Sequence, residues 1–167
     1  MVPYLISLFG FIAALMLQLS LVSRTPLLSG TADVVLLYVI AVSLHQRSKN
    51  FWVLVFLFGF MVSFISVMPS FIAPLIYLAV FGAASLLRRR VWQTPLLAMF
   101  VITFLGTLFQ QSLYLASLFL QNISFSFSTA FSDIILPSVL LNMLLAIPVH
   151  AIVQELMGNI YPAGADL

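Results

Sequence analysis

The chain has 167 residues, of which 63% are hydrophobic and 6% charged, with a net charge of +2 and no cysteine. An ordinary soluble domain carries about 25% charged residues, so this composition argues against a soluble enzyme and predicts an all-α integral membrane protein. Six basic residues spread along the chain are too few for a nucleic-acid footprint. The missing cysteines remove disulfides, thiolate nucleophiles and cysteine metal sites.

Six apolar runs separated by polar clusters predict six transmembrane helices in one membrane domain covering residues 1–167: Pro3 to Val22, Thr31 to Leu44, Phe51 to Met68, Phe71 to Leu87, Pro95 to Leu120 and Ile134 to Val153. Helices are the permitted solution, because a chain in lipid must satisfy its own backbone and the runs are too long and non-alternating for barrel strands.

The first run precedes the first charged residue, Arg24, and lacks the basic start of a secretory signal, so a retained first helix is expected. Ser7, Gly10, Ala14 and Gln18 form a small and polar seam along it. "SRTPLLSGT" then breaks the chain at Pro26 and Gly30.

The second run is short for a full span and starts at Asp33, which with Thr31 either caps a helix N-terminus or contacts a partner. It ends in the basic turn "HQRSKN". In the third run Gly59, Ser63 and Ser66 form another small-residue seam, and Pro69 separates it from the fourth. The fourth ends in "RRR" with Trp92 close by, the pattern of a snorkelling anchor beside an interfacial aromatic.

The fifth run carries Thr103, Thr107, Gln110, Tyr114 and Ser117 at i, i+4, i+7, i+11 and i+14, one polar helical face flanked by Gly106 and Gln111. Such a face avoids lipid. It packs against other helices or, with Tyr77, walls a small-molecule cavity. "NISFSFSTAFS" follows, and its Ser/Phe alternation predicts an extended stretch with the aromatics on one face, either dipping into the membrane interface or offering an edge to a partner. Asn122-Ile123-Ser124 also fits the glycosylation pattern, which is common by chance.

In the last run Ser138, Asn142, Ala146 and His150 follow one another at i+4, a gently spiralling small and polar stripe. Pro148 predicts a kink there, and His150 and Glu155 are expected at the cytoplasmic interface, with His150 solvated and neutral. No metalloprotease, nucleophile-elbow or paired-carboxylate motif occurs, so neither an enzyme nor a cofactor is expected.

With six spans the basic loops fall on one side, which collects Arg47, Lys49, Arg88, Arg89 and Arg90 and leaves only Arg24 opposite. The positive-inside rule then places both termini in the cytoplasm.

Two segments, "TADVVLLYVIAVSLHQR" and "LPSVLLNMLLAIPVHAIV", make the chain resemble the rod shape-determining protein MreD family of bacteria. The likeness in topology covers the whole chain. In the first segment Asp33 precedes a leucine-rich run that ends in a basic turn, and in the second Leu136, Pro137, Asn142 and Pro148 match the final-helix pattern. Ala32 stands where members often carry proline before that Asp, and the third run has Gly59 without the carboxylate many members have.

The resemblance implies a non-enzymatic scaffold of the cytoplasmic (inner) membrane that supports cell shape and peptidoglycan synthesis. It implies pairing with the bitopic protein MreC within an elongation complex that includes MreB, RodA and a class B penicillin-binding protein. It also implies a fold similar to the substrate-binding subunits of energy-coupling-factor transporters, and the alternative function is such a subunit for a small, vitamin-type molecule. The candidate residues for partner binding or helix packing are Asp33, Thr107, Gln110, Tyr114, Pro137, Ser138, Asn142 and Pro148.

Overall fold

The computed structural model describes residues 2–20, 29–45, 51–65, 71–88 and 95–160. The chain is all-helical, with no strand among the described residues. Its helices are α1 (Val2–Ser20), α2 (Val34–His45), α3 (Phe51–Ile65), α4 (Ile72–Arg88), α5 (Pro95–Leu120), a short α6 (Phe127–Ala130) and α7 (Leu136–Ile160). A π-helical turn at Phe131–Ile135 joins α6 to α7, so the two run on as one rod.

Each apolar run therefore holds one helical rod. Two rods, Pro95–Leu120 and Phe127–Gly158, are long and apolar enough to cross a membrane. Pro26, Pro69, Ser66, Trp92 and the basic residues Arg24, Arg47, Lys49, Arg89 and Arg90 lie outside the described residues.

The short second run has a physical explanation in its position. Every residue from Val34 to Leu44 is buried, with α1, α4, α5 and α7 packed around it. A helix that is apolar on all sides belongs in an interior, and its 12 residues extend only about 18 Å at 1.5 Å each. It is the core around which the longer rods stand.

The small-residue seams hold this bundle together. On α1, Ser7, Phe11 and Ala14 are buried and the Gly10 backbone lies against the Tyr38 ring of α2, whose hydroxyl donates to the Ser7 carbonyl at 2.8 Å. The Phe11 and Phe58 rings stack at 3.9 Å between centroids, which ties α1 to α3. On α3, Gly59 lies directly on Pro74 of α4, and the Ser63 hydroxyl bonds back to the Gly59 carbonyl at 3.0 Å. Tyr38→Phe keeps the ring against Gly10 and removes only the bond to Ser7. It is expected to lower unfolding stability by about 1 kcal/mol, measured by denaturation of the purified protein.

The Ser/Phe segment follows the extended reading only in part: it is non-helical to Ser126, whose backbone is extended, and helical from Phe127. α5 ends at Asn122 in the left-handed region (φ 58°), with the Ile123 and Asn122 N–H groups bonded back to the Leu118 and Phe119 carbonyls, a Schellman ending. Ile123 to Ser126 are non-helical and exposed, and α6 begins at Phe127, whose ring stacks on Phe131 one turn later at 6.5 Å. No strand pairs with this stretch among the described residues; its non-helical part is exposed, and from Phe127 the backbone is satisfied within a helix.

Candidate functional site

The candidate site forms where the chain enters α2. The first amides of a helix have no partner inside it, and here each of the following finds one. The Leu36 N–H donates to Asp33 Oδ1 at 2.8 Å, so Asp33 is the cap that its position in the sequence predicts. The Val35 N–H donates to Gln18 Oε1 of α1 at 3.0 Å, and the Leu37 N–H reaches the Asp33 carbonyl at 3.1 Å.

The entering backbone is held from the other side by α7. The Asp33 N–H donates to Asn142 Oδ1 at 2.7 Å, and Asn142 Nδ2 donates to Thr107 Oγ1 of α5 at 2.9 Å. One turn earlier Ser138 Oγ accepts the Thr31 N–H at 3.1 Å, and the Asp133 carbonyl accepts the Ser29 N–H at 3.0 Å. Gly30 makes this approach feasible: a Cβ there would meet the Ser138 nitrogen at 2.7 Å and Pro137 Cβ at 2.8 Å. The stripe on the last helix is thus a rail against which residues 29–33 lie.

The Asp33 carboxylate completes the knot. Gln110 Nε2 donates to Oδ2 at 2.6 Å, and the Tyr77 hydroxyl of α4 approaches both oxygens at 3.4 Å. Gln110 also reaches the Tyr114 hydroxyl at 3.4 Å. Side chains from α1, α4 and α5 therefore reach one carboxylate at the start of α2, while Asn142 of α7 holds its backbone.

Seven of the eight sequence candidates meet in or beside this knot: Asp33, Thr107, Gln110, Tyr114, Pro137, Ser138 and Asn142. Pro148 does not; it sits on an exposed face of α7, which continues unbroken through it. The polar face of α5 is turned inward as its spacing predicts, with Thr103, Thr107, Gln110 and Ser117 all buried.

His150 needs correction. It is buried, not solvated: its ring lies 5.3 Å from that of His45, whose Nδ1–H donates to the Ala41 carbonyl at 2.8 Å. The stripe that carries Asn142 inward carries His150 inward as well, two turns later, against the end of α2. The sequence reading also did not assign Gln18 its contact with α2; a glutamine inside an otherwise apolar helix was the available signal.

Chemically, the knot offers one carboxylate surrounded by neutral donors. No group of three or more metal-ligating side chains occurs among the described residues. Beside the knot is a cavity of about 240 Å³ whose wall includes Gln18, Asp33, Gln110 and Tyr114. A second, wholly different hollow of about 520 Å³ lies between α4 and α5, lined by apolar residues that include Ala79, Ala83, Leu105 and Gly106.

An all-helical protein built around a buried polar knot is the class that this architecture defines. No family of proteins, no curated protein and no solved structure matches the chain.

Proposed function

We propose that the chain is a multi-pass scaffold of the bacterial cytoplasmic membrane, of the MreD kind, which binds the single helix of an MreC-like bitopic partner and through it serves cell elongation. In this reading all six rods span the bilayer, both termini are cytoplasmic, and the bundle shares the fold of energy-coupling-factor substrate-binding subunits.

The distribution of side chains supports the membrane setting. Trp52, Phe56, Phe60 and Phe64 form an exposed aromatic row on α3, Phe9 and Met16 are exposed on α1, and Leu144 and Ile152 on α7. Polar groups of the spans such as Thr107, Gln110 and Asn142 are buried while many large apolar side chains face outward, an arrangement that lipid stabilises and water does not.

The observation that carries the scaffold reading is the α4–α5 groove. The seams of α1 and α3 are already used inside the bundle, whereas Ala79 and Ala83 are exposed in the groove. In lipid, helices associate where small residues let backbones approach, and Ala79 and Ala83 give this apolar groove such a place.

The test is affinity capture of the tagged chain from native membranes in mild detergent. An MreC-like protein is expected in the eluate, and Ala83→Phe, which fills the groove, is expected to lower its recovery about tenfold while the chain remains folded. Equal recovery with Ala83→Phe would remove the groove from the reading, and an eluate without an MreC-like protein would remove the partner. The transporter-subunit alternative has its own supporting observation in the cavity at Asp33.

A further inference from the structure

The cavity beside the knot combines three features that together define a ligand chemistry. Its wall includes the polar side chains of Gln18, Thr31, Asp33, Gln110, Gln111 and Tyr114, with aliphatic side chains of α1 and α3 closing the rest. Asp33 is buried, and the donors to its carboxylate are neutral: the Leu36 N–H, the Gln110 and Gln18 amides and the Tyr77 hydroxyl. No Lys, Arg or His among the described residues pairs with it.

A buried carboxylate either neutralises or is paired with a cation, and here open space for a cation adjoins it. The other polar groups facing that space can accept as well as donate. Tyr114 brings a phenol oxygen and Gln111 an amide that makes no hydrogen bond to another described residue. An anion would meet the Asp33 carboxylate, and an apolar molecule would leave the Gln111 amide without a partner. A multivalent metal ion would find one carboxylate where six to eight oxygen ligands are usual for calcium. A cation with several N–H donors satisfies the charge and the acceptors together.

Size narrows the choice. A cavity of about 240 Å³ lies below the roughly 300–1,000 Å³ usual for drug-sized ligands, which suits a small organic cation.

We infer that this cavity binds a small organic ammonium group, with the Asp33 carboxylate as its counter-charge and Gln111 and Tyr114 as further acceptors. A free amine and the ethanolamine headgroup of a phospholipid both present this chemistry. The site does not depend on the scaffold reading, because nothing in it involves the α4–α5 groove or a partner helix.

The test has two arms. In the first, the full chain in detergent is titrated at neutral pH with ethanolamine hydrochloride, with ethylene glycol as the uncharged isostere and sodium chloride at equal ionic strength, and the unfolding midpoint is followed. In the second, nanodiscs of phosphatidylethanolamine are compared with nanodiscs of phosphatidylcholine.

A saturable rise with ethanolamine alone assigns a free amine. A rise confined to phosphatidylethanolamine discs assigns the headgroup. In either case Asp33→Asn, which can still cap α2, is expected to weaken binding about tenfold or more. Gln111→Leu, which touches no bond of the knot, is expected to weaken it less and to decide the matter should Asp33→Asn fail to fold. The inference is overturned if neither arm distinguishes the ammonium compound from its controls, or if Asp33→Asn binds as well as the unaltered chain. Binding that appears only after Arg24→Gln would also overturn it, by giving the cavity to the chain's own arginine.

Discussion

Asn142→Leu is expected to lower the unfolding free energy by about 2–3 kcal/mol, more than any other single change in the knot. An interhelical hydrogen bond in a membrane protein averages about 0.6 kcal/mol, so the size of this effect needs a reason beyond one lost bond. Asn142 is the only bridge between the Asp33 backbone and Thr107, accepting from the first at 2.7 Å and donating to the second at 2.9 Å. Leucine leaves the Asp33 N–H and the Thr107 hydroxyl unpaired together, and Thr107 has no exposed surface through which water could replace the partner. A buried polar group without a partner costs about 1–3 kcal/mol, and the apolar transfer gained by leucine offsets part of two such costs.

The ordering of neighbouring variants separates this account from a mere packing effect. Thr107→Val keeps shape and leaves only the Asn142 amide without a partner, so about 1 kcal/mol is expected. Ser138→Ala should cost less, because the Thr31 N–H it abandons belongs to an exposed residue that water can reach. Denaturant titration of the three variants in one detergent reads the series directly. An Asn142→Leu cost no greater than that of Ser138→Ala would show that the knot does not hold α2 in place.

The residues of the knot were legible in the sequence one helix at a time. Helical spacing puts Thr107, Gln110 and Tyr114 on one face and Ser138 and Asn142 on another, and a carboxylate just before an apolar run reads as a cap. Periodicity fixes a face but not what it faces: the bond from Asp33 to Asn142 joins positions 109 apart in the chain. What selects that pairing is the burial of all of α2, whose entering amides must find acceptors on whichever helix lies nearest. The same limit explains His150. Its i+4 relation to Ala146 already placed it on the inward stripe, but its proximity to a helix end suggested solvent, and only the position of His45 shows that the end of α2 covers it. The alternating "SFSFS" is non-helical only as far as Ser126 and helical from Phe127, since a two-residue period describes a strand only where a second strand can pair with it.

Gly59→Ala carries the other large expected effect, about 2–3 kcal/mol of destabilisation, although alanine is the better helix former by about 1 kcal/mol. A Cβ at position 59 would lie 2.5 Å from Pro74 Cα and 2.9 Å from Pro74 N. Those atoms are backbone, and the proline ring fixes φ, so no side-chain rotation relieves the contact. α3 and α4 must move apart instead, which disturbs the Phe58 ring stacked on Phe11 at 3.9 Å on the adjacent residue. Overpacking of this kind costs about 1–3 kcal/mol; here the upper end applies because the obstruction cannot yield. Gly82→Ala supplies the control within α4, since nothing lies within 4 Å of its added methyl, and it should stabilise by up to about 1 kcal/mol through helix propensity alone. Unfolding midpoints that move in opposite directions for the two alanines would establish the α3–α4 contact as a backbone-to-backbone seam, and equal shifts would refute it.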